Sequence, residues 1–318
     1  MKTKLFAILF LLVSKLCIAQ LSPNDKKIYL DSTWTETSQE NSKYYRIVKD
    51  YYLDQKEYKV LVYYKNNQLK EESILNGKDG GSPNGEKLNY YENGNKQSVS
   101  TYVNGRPTGK SISWYENGNK REEGEYTGNY EIPGKHYRLI QYWDENNNHL
   151  IENGNGFYSC GDKASFLETG SYKDGYKDGV FEGKDFKLNA FYKEKYENGK
   201  FISGTRVFSD GTKTDYFEME KRPFPKKGMQ DFYTFIGKNF NYTNESFKNK
   251  VQGKIILNFV IDKEGQIVEP KILKGLGYGL DEEAVRVLLK YGDWIPGEQR
   301  GMKVRCSFSL PLALQAVR

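Results

Sequence analysis

Histidine and cysteine are nearly absent from this 318-residue chain, which has 2 His and 3 Cys. The two histidines, His136 and His149, lie 149 − 136 = 13 residues apart in irregular sequence and read as lone surface residues, and no metal-ligand spacing stands out, so no zinc-type or histidine-based site is expected. Nucleophile elbow, phosphate-binding loop and HExxH motif are all missing. Gly275, Gly277 and Gly279 lack the G-x-G-x-x-G spacing, and Asp281, Glu282 and Glu283 occupy the place where a phosphate would have to bind. Paired carboxylates such as Glu122 and Glu123 lie in hairpin-forming sequence that implies no cleft. The expectation is a protein that is not an enzyme and has no cofactor and no metal.

Long hydrophobic runs are missing too. The longest, Leu5 to Val13, has nine residues, and crossing a bilayer takes about 20. Charge of one sign does not dominate: the net charge of +6 is modest and spread along the chain, which gives nucleic-acid binding no support. Residues 1–19 read as a secretory signal, with Lys2 and Lys4 ahead of the apolar run and Cys17, Ile18 and Ala19 forming a small-x-small site before Gln20. Leu16 is too large to precede a lipidated cysteine. The mature chain is therefore expected to be exported, to the periplasm or the periplasmic face of an outer membrane. It would keep Cys160 and Cys306, which are expected to be two small buried residues in different domains, not a disulfide.

What the chain has in quantity is tyrosine, 26 residues, within an aromatic share of 15%. With 37% hydrophobic residues the length supports two folded domains. Residues 20–62 hold a polar lead-in, Leu21 to Asn41, with one packed Trp34, and then the first strands, which begin from Tyr44 and alternate through Tyr58, Val60, Val62 and Tyr64. Residues 63–217 repeat: YYENGNKQ from Tyr90 returns as WYENGNKRE from Trp114, with looser copies from Ser171 and Lys195. Asn-Gly occurs at Asn76, Asn84, Asn93, Asn104, Asn117, Asn153, Asn155 and Asn198, and Asp-Gly at Asp79, Asp174, Asp178 and Asp210. Such pairs supply positive φ at both centres of a type I′ turn, and aromatic or β-branched residues flank most of them, predicting successive hairpins. A single hairpin cannot bury its own aromatic face, so stacking makes the core and the tyrosine stripe is read as packing. This region, about residues 63–211, resembles the MORN repeats in their divergent bacterial form. The stretch from Tyr130 to Phe166 is irregular.

Residues 218–228, charged and holding Pro223 and Pro225, are read as a linker. Residues 229–318 then spell a compact α+β unit. A helix over Met229 to Lys238 is followed by a strand in which Ile255, Leu257, Phe259 and Ile261 alternate with Lys254, Ile256, Asn258, Val260 and Asp262, so that both faces are largely apolar. A turn at Lys263 to Gly265 returns an antiparallel partner through Ile267 and Ile272. Leu280, Ala284, Val287, Leu288 and Tyr291 have helical spacing, with acidic residues in the first turn. In the last strand Val304, Cys306, Phe308 and Leu310 alternate with Lys303, Arg305, Ser307 and Ser309, so one face is buried and the other wet.

VIDKEGQI, the glycine run into GLDEEAVRVLLK, Trp294 to Gly297 and VRCSFSLPL appear in fixed order. By these pieces the run from about Pro223 to Leu314 resembles the C-terminal domain of TonB, the energy transducer of Gram-negative envelopes. The resemblance implies a domain whose last strand is a sheet edge, Lys303 to Leu310, that accepts an extended Ton-box-like segment of an outer-membrane receptor, with a link to transmembrane transport. A second copy of the chain is another occupant for that edge. Members of that family carry a membrane anchor and a Pro-rich spacer, neither visible here. The rival expectation is a scaffold of the envelope that binds peptidoglycan or self-associates through its repeats. The fold expectation is a mainly β chain: a β-hairpin array followed by a small β-β-α-β domain.

Overall fold

The computed structural model describes residues 21–131, 133–160, 166–186, 188–292 and 294–315. The expected signal, residues 1–19, lies outside them. The chain is mainly β, with a long antiparallel hairpin array and a C-terminal region of helices and strands. It forms two compact units, one running to Gly156 together with Tyr172–Tyr176, the other comprising Phe157–Ser171 and the chain from Lys177.

In the first unit the strands follow chain order, each antiparallel to the next, from Lys26–Leu30 through Tyr44–Val48, Tyr58–Tyr64 and Leu69–Leu75 to Tyr137–Trp143 and His149–Glu152. The lead-in therefore already contains a strand. KKIYL has only Ile28 and Leu30 buried, too short a pattern to stand out from the polar residues around it. Trp34, expected to be packed, is 49% exposed and stacks flat on Tyr44 at 5.0 Å. The stretch that looked irregular also forms strands, with Tyr126 paired to Tyr137 and Ile151 to Gly156.

The expected Asn-Gly turns are not all alike, and Asn155-Gly156 is no turn but the start of the strand Asn155–Cys160. At Asn104-Gly105 and Asn153-Gly154 both residues have positive φ, as a type I′ turn requires. At Asn93-Gly94 and Asn117-Gly118 only the glycine does, with φ of 88° and 90°. There Asn93 Oδ1 and Asn117 Oδ1 accept the amides of Asn95 and Asn119 at 2.9 Å, which holds the asparagine in the right-handed region and lengthens the loop. Asn84 and Asn155 do a third job: their side chains accept the amides of Asn104 and Asp174 in a neighbouring turn.

The repeated YENGN has a bonding reason. Tyr91 donates to the Trp114 carbonyl at 2.8 Å and Tyr115 to that of Trp143 at 2.9 Å. Asn93 and Asn95 both donate to the Glu116 carbonyl, and Asn117 and Asn119 both donate to that of Glu145. Each copy thus satisfies backbone carbonyls of the next, and the array is held turn to turn as well as strand to strand.

In the second unit Ala190–Glu197, Lys200–Phe208 and Lys213–Tyr216 continue in chain order. Gly183 and Gly204 let rings lie on the backbone, since a Cβ there would stand 2.1 Å from Tyr192 and 2.3 Å from Tyr216. Glu194 is fully buried among them; Tyr196 and Tyr216 donate to it at 2.8 and 2.7 Å, and Arg300 pairs with it at 2.8 Å. Burial, reinforced by the glutamate, pushes both phenols up, so they stay neutral donors.

The C-terminal part has a three-stranded sheet in the order Ile267–Lys274, Gly253–Ile261, Cys306–Leu314. Helices α1 (Met229–Asn239) and α3 (Leu280–Lys290) cover one face. Ile255, Leu257, Phe259 and Ile261 are fully buried against Leu280, Ala284, Val287, Leu288, Phe232 and Trp294. At about 1.5–3 kcal/mol for each large apolar side chain, this is the main source of the domain's stability. A short α2 (Asn244–Lys248), capped by Thr243, was not foreseen in the sequence. The glycine run wraps a carboxylate: Asp281 accepts the amides of Leu276 and Gly277 at 2.9 and 3.0 Å. The place a phosphate would take is filled by the chain itself.

Residues 218–228 are strand-paired in part. Glu220–Lys221 pairs with Gly297–Gln299, and Phe224–Pro225 with Trp294–Ile295. Cys160 and Cys306 are half-buried and in no disulfide.

Candidate functional site

The three-stranded sheet has two outer strands, and one of them is the last. Cys306–Leu314 pairs with Gly253–Ile261 from Ile261↔Cys306 to Gly253↔Leu314, and no strand among the described residues pairs with its other side. Pro311 sits within this ladder opposite Ile256. Proline has no N–H to give, so an intact ladder requires position 311 to turn its nitrogen outward. Backbone direction alternates along a strand, so the N–H groups of Ser307, Ser309 and Ala313 face outward as well. The side chains divide as expected: Ser307 and Ser309 are exposed, Phe308 is half-buried and Leu310 fully buried.

The expected edge strand, Lys303 to Leu310, is in fact two. Lys303 and Val304 belong to Met302–Val304, which pairs with Gly297–Gln299. Arg305 lies between the two strands and forms an ion pair with Glu269 at 2.6 Å. Cys306 begins the free edge, its side chain lying beside Gly297, where a Cβ would have no room. Six of the eight expected residues, Val304 to Ser309, line one groove of about 530 Å³. Its opposite wall is Glu220, Lys221, Arg222 and Pro223, with Glu298 and Gln299 between. Lys221 is held by Glu298 at 3.1 Å, which raises the lysine's pKa. The groove thus presents outward backbone donors flanked by charges of both signs.

The wall was hidden in the sequence by its brevity. A two-residue strand has no period, and its prolines read as a spacer. Phe308 anchors the edge from below, its ring 5.3 Å from Trp294 and 5.5 Å from Phe259.

Residues 238–313 match the family model of the Gram-negative bacterial TonB protein C-terminal. The C-terminal domain is TonB-like. The matched span runs from the end of α1 through α3 to the edge strand, the segment that holds the groove's sheet wall. That family serves energy transduction or binding, not catalysis, and belongs to the Gram-negative envelope. No curated protein and no solved structure matches the chain. His136 and His149 lie far from the TonB-like domain in sequence; His149 stacks on Trp143 at 4.6 Å and contacts Gln141 at 2.8 Å. Among the described residues no group of His, Cys, Asp or Glu is placed to hold a metal ion, and no helix is long and apolar enough to cross a membrane.

Proposed function

We propose that the TonB-like domain binds an extended peptide by strand addition along Cys306–Leu314, seated in the groove between that edge and Glu220–Pro223. The observation that carries this is the unpaired outer side of the strand beside an open groove. Incoming backbone would bond to Ser307, Ser309 and Ala313, and side chains of alternate residues would meet the mixed charges of the wall. The partner fitted to this chemistry is a Ton-box-like segment of an outer-membrane receptor, met by an exported protein on the periplasmic side. The hairpin array, read as MORN-like, supplies a second surface.

The test is peptide binding by the full chain. Ser309→Pro removes one outward donor without touching the core, whereas proline at Phe308 would also take a ring from Trp294. The Ser309→Pro variant is expected to bind Ton-box peptides roughly tenfold more weakly, the scale of one lost hydrogen bond plus a ring clash. Equal affinity in the two proteins would defeat the proposal. Sedimentation of the free chain reports whether a second copy occupies the edge instead.

A further inference from the structure

The buried ion pairs of the second unit leave one charge over. Glu168 takes Lys177 at 2.7 Å, and Glu194 takes Arg300 at 2.8 Å. Arg206, on the strand beside Glu194, is only 4% exposed, and no carboxylate among the described residues forms an ion pair with it. Among the described residues its guanidinium reaches the Met302 sulfur, a weak acceptor, and its Nε is buried with no hydrogen-bond partner. A guanidinium cannot shed its proton to relieve this, and a buried charge without a counter-charge destabilises the fold.

Arg206 also lines a pocket of about 500 Å³ that shares Glu220, Gln299 and Val304 with the edge-strand groove but none of Cys306 to Ser309. Lys263, Arg300 and Lys303 line it too, against the carboxylates of Asp185 and Glu220. Asp185 is engaged by the Leu188 amide at 3.0 Å, and Glu220 by Gln299 at 3.3 Å. Cations therefore outnumber anions around a cavity into which a buried, half-satisfied guanidinium is built.

We propose that this pocket binds a phosphate group, with Arg206 as the buried anchor and Lys263 and Lys303 as charges at the rim. The planar guanidinium fork suits a phosphate's paired oxygens, and the two rim lysines can reach its remaining oxygens as point charges. The group can come from a soluble phosphoester or from a lipid headgroup.

The experiment is thermal unfolding of the full chain with inorganic phosphate against potassium chloride at equal ionic strength. The native midpoint is expected to rise with phosphate and not with chloride. Arg206→Met is expected to be at least as stable as wild type without phosphate and to bind it at least about tenfold more weakly. Lys303→Gln, at an exposed position, is expected to fold normally and to weaken binding several-fold. A wild type that responds equally to both salts, a methionine variant that keeps the response, or an unchanged Lys303→Gln variant would each overturn the site. Vesicles divide the sources: cosedimentation with phosphatidylglycerol but not phosphatidylcholine, lost in Arg206→Met, assigns a headgroup, whereas a phosphate response without cosedimentation assigns a soluble phosphoester.

Discussion

Asp25 shows how much one buried carboxylate holds. Its side chain is wholly inaccessible and accepts Lys49 Nζ at 2.5 Å, the Asp50 amide at 3.0 Å and the Ser22 amide at 2.8 Å. Burial acts to raise its pKa, and these bonds outweigh it, leaving the carboxyl below the usual range. A depressed folded-state pKa means that its contribution is complete above the unfolded value of about 3.9 and is lost as pH falls through the folded value. The midpoint of wild-type unfolding should therefore drop below about pH 4, and Asp25→Asn should flatten that drop while costing about 1–3 kcal/mol at neutral pH. Denaturant titrations at pH 3 to 7 measure both. Arg300 makes a second prediction. Its truncation to alanine strands Glu194 among buried phenols and should cost about 3–5 kcal/mol, with Glu194→Gln restoring part of it in the double mutant.

At the level of elements, periodicity carried what it could. Helix α3 was readable because Leu280, Ala284, Val287 and Leu288 recur at helical spacing, and all four are fully buried. The central strand was readable from its run of apolar, β-branched residues stopped by Lys263 to Gly265, although both its faces looked apolar and only the structure shows that Ile255, Leu257, Phe259 and Ile261 form the buried one. Strand pairs of two residues were not, and these include the groove wall Glu220–Lys221. Asn-Gly marked a turn at Asn93, Asn104, Asn117, Asn153 and Asn198 but not its kind, whereas Asn155-Gly156 lies inside the strand Asn155–Cys160 and Gly85 opens another, because strand pairing and neighbouring turns decide between conformations that share a dipeptide. Nor could the sequence show Arg300 reaching Glu194, 106 residues away. Gly265 tests an element whose reading held. Its φ is 84°, and a Cβ there would stand 2.2 Å from the Trp294 carbonyl oxygen. Gly265→Ala should cost about 2–4 kcal/mol by adding backbone strain to a clash, measurable as a lower denaturation midpoint.

Across the whole molecule two kinds of connectivity meet. The array joins each strand to its chain neighbour, whereas the C-terminal sheet joins Gly253 to Leu314. Loop closure is cheap in the first case and slow in the second. During synthesis the hairpins can zip shut as they emerge, but the central strand waits for the last residues of its edge. Pulse-labelled hydrogen exchange during refolding should find array amides protected before those of Gly253–Ile261, and simultaneous protection would contradict this. The strand proposed as the docking edge is thus also the closing clasp of its own sheet, so no such edge exists until Cys306–Leu314 has paired with Gly253–Ile261, and a half-folded domain has nothing to offer a partner prematurely.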